Sequence, residues 1–199
     1  MKRLFLISLL AVLSVSLLVI TTASAAELTF DSERSTINWV SEAPSEKIVG
    51  TASGVEGTVQ WDLEDLENLT GKILFPVSTM QSGNSLRDRH LQGRDWLRAD
   101  ENPNIVFELE GLEDVERTPH SNQVRVEATA VGTLTVNGVT RPIRSKVKLA
   151  ILTETNRVRI QTEFGVNLKE HEVKGRRGAI GDEVAEIIEV EGVLYGSWQ

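Results

Sequence analysis

The chain has 199 residues, with 21 Lys+Arg against 29 Asp+Glu and no cysteine. Its net charge of −8 argues against a nucleic-acid backbone or an anionic lipid surface as the main partner. Without cysteine there is no disulfide framework and no lipid anchor on an N-terminal thiol, so the fold must rest on its hydrophobic core.

Residues 1–25 read as a secretory signal. Lys2 and Arg3 form a basic start, Leu4 to Ile20 an apolar run, and Ala23-Ser24-Ala25 a small-x-small cleavage site. The rival is an uncleaved membrane anchor; three serines in the run and the well-formed cleavage site favour removal. Cleavage takes away two positive charges and no negative ones, leaving a net charge of −10. Residues 26–199 are then expected to form one domain large enough to bury a single core.

The first strand candidates are Thr36 to Val40 and Lys47 to Ser53, separated by the turn Glu42-Ala43-Pro44-Ser45. Val55 to Asp62 follows, with Val55, Gly57, Val59 and Trp61 on one side. Gly50, Gly54 and Gly57 suggest bulges or sharp bends of the kind barrel corners need. Thr70 to Val77 alternates again, with Ile73, Phe75 and Val77 pointing one way.

Ser78 to Phe107 then breaks the strand pattern, and the rest of the domain is arranged around it. Asn84 or Ser85 suits a helix N-cap. Leu86 and His90 share a face, as do Arg87 and Leu91. Gly93 is expected to end the helix in the left-handed region, and Pro103 turns Asn102 into an extended lead for the next strand. The stretch reads as a short helix and an irregular segment covering one end of a β-barrel.

Asn104 to Glu110 reads as a strand and the residues through Asn122 as a polar loop. Asn137-Gly138 between alternating apolar residues signals a type I′ hairpin, because that turn needs positive φ at both positions. Ser145, Val147, Leu149 and Ile151 face one way in the outgoing strand, and Val158 to Leu168 alternates likewise. Lys174-Gly175-Arg176-Arg177-Gly178 reads as a solvated loop, with gating of an opening as the alternative. A last strand is expected from about Glu183 to Tyr195. Eight to ten antiparallel strands with one polar face favour an all-β, up-and-down barrel, since closure removes exposed edges. A barrel of about eight strands is either filled by side chains or holds one small ligand.

Chemistry-bearing residues are sparse. His90, His120 and His171 show no ligand spacing, so no metal is expected. No G-x-S-x-G motif is present. Arg87 suits either clamping a carboxylate or phosphate headgroup or tying the helix to the barrel rim. Trp39, Trp61, Phe75, Phe107 and Phe164 occupy apolar strand positions, where core packing and cavity lining both fit. Trp96 lies outside the strand pattern and suits the barrel mouth. His90, Leu91 and His171 complete the candidate lining.

Three segments resemble the YceI-like family. They are Ser78-Thr79-Met80-Gln81-Ser82-Gly83-Asn84 with Arg87-Asp88, His90-Leu91 and Pro103 to Phe107; Gly132 to Ile143; and Phe164-Gly165-Val166-Asn167-Leu168-Lys169. The resemblance spans residues 26–199. It implies a lipocalin-like extended barrel with a helix at one end, and a periplasmic or secreted protein. It further implies a polyisoprenoid lipid, such as an isoprenoid quinone or prenyl compound, held in the lumen without catalysis. No cofactor, nucleic acid or stable membrane insertion after cleavage is expected, and a homodimer stays open. Glu170 to Val173 and the region from Ser41 to Gly50 depart from the family pattern. The competing expectations are an enzyme using His90 or His171 as acid/base, and a filled barrel serving as a stress or interaction module.

Overall fold

The computed structural model describes residues 26–199. The expected signal segment, residues 1–25, lies outside the described residues. Ten strands occur: β1 (Ala26–Phe30), β2 (Thr36–Glu42), β3 (Lys47–Ala52), β4 (Glu56–Trp61), β5 (Thr70–Pro76), β6 (Asn104–Pro119), β7 (Val124–Val136), β8 (Val139–Leu152), β9 (Arg157–Asn167) and β10 (Ile187–Trp198). Among the described residues one α-helix, α1 (Ser85–Gln92), lies between β5 and β6. Every pairing between these strands is antiparallel. The order β1-β4-β5-β6-β7-β8-β9-β10 closes on itself through β1 and β10, giving a lipocalin-like barrel of eight strands.

β2 and β3 extend this ring. One edge of β10 pairs with β1 through Gly196 to Trp198 and with β2 through Glu189 to Val193. β1 and β2 are thus one stave interrupted at Asp31–Ser35, and β3 and β4 another interrupted at Ser53–Val55. Ser35, fully buried at the first break, accepts the Tyr195 N–H at 3.0 Å, so the interruption leaves no orphan donor there. Thr51 and Gln81 exchange backbone hydrogen bonds of 2.8 and 2.9 Å, which joins the β2–β3 extension back to the segment after β5. The described ring closes within residues 26–199.

The two ends differ. At the narrow end, Leu28, Leu66, Val126, Ile151 and Val158 are fully buried, and Trp61 packs on Trp198 with ring centroids 5.3 Å apart. A short 3-10 turn, Leu66–Asn68, seals this end. At the wide end sit the β2–β3 hairpin, α1, the β7–β8 turn and residues 168–186. Trp39 lies inside the wide half because Gly50, opposite it on β3, has no side chain. A Cβ at Gly50 would overlap the indole of Trp39 and meet the Gln81 carbonyl oxygen at 2.6 Å. Gly50→Ala is therefore expected to cost about 1–3 kcal/mol of stability, as overpacking does. An unchanged urea midpoint would contradict that close fit.

Several sequence expectations need correction. The region read as a polar loop after Glu110 is strand, and β6 runs on to Pro119 against β7. Two register shifts, at Leu109/Gly111 and Glu113/Glu116, break the alternation that would have revealed it. The last strand begins at Ile187, because residues 179–184 form turns, with Gly181 donating to the Val184 carbonyl at 2.7 Å. Gly93 does end α1, but in extended geometry at φ −76. The left-handed residue that follows the helix is Arg98, at φ 50. Asn84 does cap the helix, accepting from the N–H groups of Leu86 and Arg87. Asn137 and Gly138 have φ values of 54 and 77, as the type I′ turn requires.

Candidate ligand-binding cavity

Inward residues alternate along each strand, and they do not fill the barrel. A cavity of about 570 Å³ occupies the wide half. Its walls are largely apolar: Trp39 and Ile48 from the extension, Ile105 from β6, Leu134 and Val136 from β7, Phe164 and Val166 from β9, and Ile188 and Val190 from β10. Its roof is the stretch from Asn84 to Leu97, including Leu91 and Trp96. A second cavity of about 90 Å³ lies in the narrow half, lined by Trp61, Phe107, Leu112 and Leu149 among others. Phe75 and Phe164 line both cavities and so form the wall between them.

The barrel register sets these heights. Val190 is opposite both Trp39 on β2 and Phe164 on β9, which puts all three on one level near the floor of the upper chamber. Trp61 and Phe107 fall below that level. The indole nitrogens of Trp39 and Trp61 are buried without a hydrogen-bond partner among the described residues. Each unpaired donor costs roughly 1–3 kcal/mol, which the packing of the two rings has to offset.

Of the residues singled out in the sequence, Trp39, Phe75, Arg87, His90, Leu91, Trp96 and Phe164 surround the upper chamber. Trp61 and Phe107 belong to the lower one. His171 lines neither and is corrected to a structural position. Its side chain lies beside the β7–β8 turn, 4% exposed, with Nδ1 2.9 Å from the Val139 carbonyl oxygen. That oxygen can only accept, so Nδ1 carries the proton of the neutral ring. Sequence reasoning passed over Leu134, Val136, Ile188 and Val190. Their signal was the even-numbered apolar alternation in β7 and β10.

A polar network holds the roof down. Arg98 donates to Asn137 through Nε to Oδ1 at 2.7 Å and through Nη2 to the carbonyl at 2.8 Å. Asn137 Nδ2 in turn donates to the His171 and Glu172 carbonyls, both at 3.2 Å. Arg87 pairs with Glu46 at 3.0 Å, tying α1 to the β2–β3 hairpin. The Ser41 hydroxyl accepts the Ala185 N–H at 2.8 Å and fixes the 179–186 segment to β2.

Burial lowers the pKa of His171 below 6.5, against the opposing pull of the Val139 hydrogen bond and with help from the positive charge of Arg141. The native ring therefore resists a proton that the unfolded chain accepts. Stability is expected to be fully present above about pH 6.5 and to fall as pH drops below it toward the native pKa. Urea midpoints followed downward from neutral pH should decline in the wild type, and decline less in His171→Gln.

The YceI-like domain model matches residues 28–192. A UPF0312 protein of Pseudomonas paraeruginosa is 26% identical over 155 residues, covering 73% of this chain and 74% of that protein. Protein YceI of Shigella flexneri is 25% identical over 150 residues, with the same coverage. Among solved structures, BcnA of Burkholderia cenocepacia superposes with a TM-score of 0.66 at 16% identity, covering 83% of this chain and 98% of its own. A polyisoprenoid binding domain from Saccharophagus degradans, implicated in plant cell wall breakdown, gives 0.65 at 14% identity, covering 86% and 98%. These two structures share the barrel, and the domain model spans nearly all of it. With its closed ring, its β2–β3 extension and its roofing helix, the chain belongs to the YceI-like family.

Proposed function

We propose that this protein binds a long polyisoprenoid lipid, an isoprenoid quinone or prenyl compound, in the upper chamber and carries or sequesters it without catalysis. The supporting observation is the apolar cavity of about 570 Å³ under a partly polar roof. The likeness to a polyisoprenoid binding domain is consistent with it. Each isoprene unit has five carbons, so burying one contributes on the order of 4 kcal/mol gross at about 0.8 per carbon. A few units exceed an association cost of roughly 4–15 kcal/mol, so the tail supplies affinity and the headgroup selectivity. A periplasmic setting suits the signal expected at residues 1–25, since a lipid of this kind needs cover to cross water. Of the two acid/base candidates of the catalytic alternative, His171 is buried beside Val139 away from the chamber, which leaves that reading His90 alone.

The test is a titration with decaprenyl ubiquinone followed by tryptophan fluorescence, since Trp39 and Trp96 border the chamber. Saturable quenching at one ligand per chain is the expected result. The absence of any saturable signal, with the quinone held in solution by mild detergent, would contradict the reading.

A further inference from the structure

The charge of this protein is unevenly placed. Residues 84–98 and 173–178 hold seven basic and two acidic side chains, whereas the neighbouring wide-end segments 42–47, 99–101, 168–172 and 179–186 hold two basic and nine acidic. The two basic segments are one surface. Gly175 N–H donates to the Asp95 carbonyl at 2.7 Å, and a Cβ on Gly175 would lie 3.3 Å from the Trp96 ring. Together they border the mouth of the upper chamber: Arg87, Arg89, Arg94 and Arg176 all reach its lining.

Part of this charge is engaged locally. Glu46, Glu101 and Glu183 hold Arg87, Arg98 and Arg176. Asp88 is occupied by the Ser82 N–H and hydroxyl at 2.8 and 2.6 Å. Arg89, Arg94, Lys174 and Arg177 have no carboxylate within ion-pair distance among the described residues. Between them α1 presents Leu86 to solvent, 52% exposed and also at the cavity rim. The closed end carries the opposite sign, with Asp62, Glu64, Asp65 and Glu67 between β4 and β5.

We propose that this basic rim is a docking surface for an anionic lipid bilayer, on which the barrel sits mouth-first while its lipid enters or leaves. The net negative charge of the chain does not oppose this. Screening confines the interaction to about 8–10 Å at ordinary ionic strength, so the membrane meets the rim and not the average. The acidic closed end is repelled, and the resulting torque points the mouth at the surface. Leu86 enters the headgroup boundary as a single apolar contact, which makes the docking peripheral and reversible. The reason to visit a bilayer rests on the lipid-carrier reading; the place of contact rests on the charge distribution.

The test sediments residues 26–199 with vesicles of phosphatidylcholine alone and of an equimolar mixture with phosphatidylglycerol. Binding to the mixed vesicles, weakened by added salt, is expected. Lys174→Gln/Arg177→Gln alters two side chains outside the cavity lining and should lower that binding about 25-fold, roughly fivefold for each basic group near the surface. Arg125→Gln, on β7 near the closed end, should leave it unchanged. Uptake of decaprenyl ubiquinone from detergent should be equal in the wild type and the double variant. Equal sedimentation on both vesicle types, or no loss in the double variant, overturns the docking surface and leaves the ligand reading standing. Charge-dependent sedimentation without ubiquinone uptake supports the docking surface and overturns the ligand reading.

Discussion

Phe164→Asp is expected to weaken lipid binding at least about a hundredfold. Phe164 stands on the wall between the two cavities, opposite Val190 and partly open to the lumen. Its replacement removes an apolar surface worth about 1.5–3 kcal/mol when covered. It also obliges a carboxylate to lose water against a hydrocarbon tail, at a further cost of roughly several kcal/mol. Each 1.4 kcal/mol is about tenfold in affinity. The free barrel is expected to survive, because the carboxylate projects into the chamber and not into a close-packed core. Phe164→Leu is the control and should stay within about tenfold of the wild type. Undiminished quinone binding by a folded Phe164→Asp variant would place the ligand elsewhere.

Asn137→Ala is expected to give the largest loss of stability, about 4 kcal/mol or more. Asn137 is 4% exposed and is the one residue that joins Arg98, the β7–β8 turn and the backbone at His171 and Glu172. Alanine would leave the Arg98 fork short of a charge-assisted bond, worth about 1.5–3 kcal/mol, and two carbonyls short of a donor. It would also have to hold a left-handed backbone, at a cost of about 1–2 kcal/mol for a residue with a Cβ. Asn137→Gly separates the two effects, because it keeps the turn and loses only the side-chain bonds. Asn137→Gly should therefore be the more stable of the two by about 1 kcal/mol in urea unfolding. A domain held by about 5–15 kcal/mol would feel either change strongly. Because the network fastens the roof, both variants should also release bound lipid faster.

The sequence revealed most clearly what depends on local chemistry. The Asn137-Gly138 turn, the Asn84 cap and the inward faces of β8 and β9 follow from positive φ, side-chain acceptors and period-two alternation. The β1 strand escaped because it is five residues long and its continuation across Asp31–Ser35 is visible only in its pairing with β10. The long arm of β6 escaped because its bulges disrupt the alternation. Gly93 looked like a left-handed helix end, yet its carbonyl accepts from Trp96 and Arg98, and that tight turn places the positive φ at Arg98 instead.

The candidate site was legible by face and not by height. Alternation says that Trp39, Trp61, Phe107 and Phe164 point inward. It does not say how far along the barrel each one sits, because that depends on inter-strand register. The structure sorts them into two chambers, with Phe75 and Phe164 between. His171 misled for a related reason. It follows the end of β9 closely in sequence, but the chain turns there and buries the ring beside Val139. The basic rim was hidden by averaging, since its two segments are some eighty residues apart in the chain and meet only through Gly175 and Asp95.

The most direct test of lipid carriage is native mass spectrometry of the protein purified without detergent from the cells that make it, followed by organic extraction. A discrete added mass that extracts as a polyisoprenoid is the predicted result, and it would identify the headgroup and chain length together. A clean apo mass, with no adduct after decaprenyl ubiquinone is offered, would contradict it.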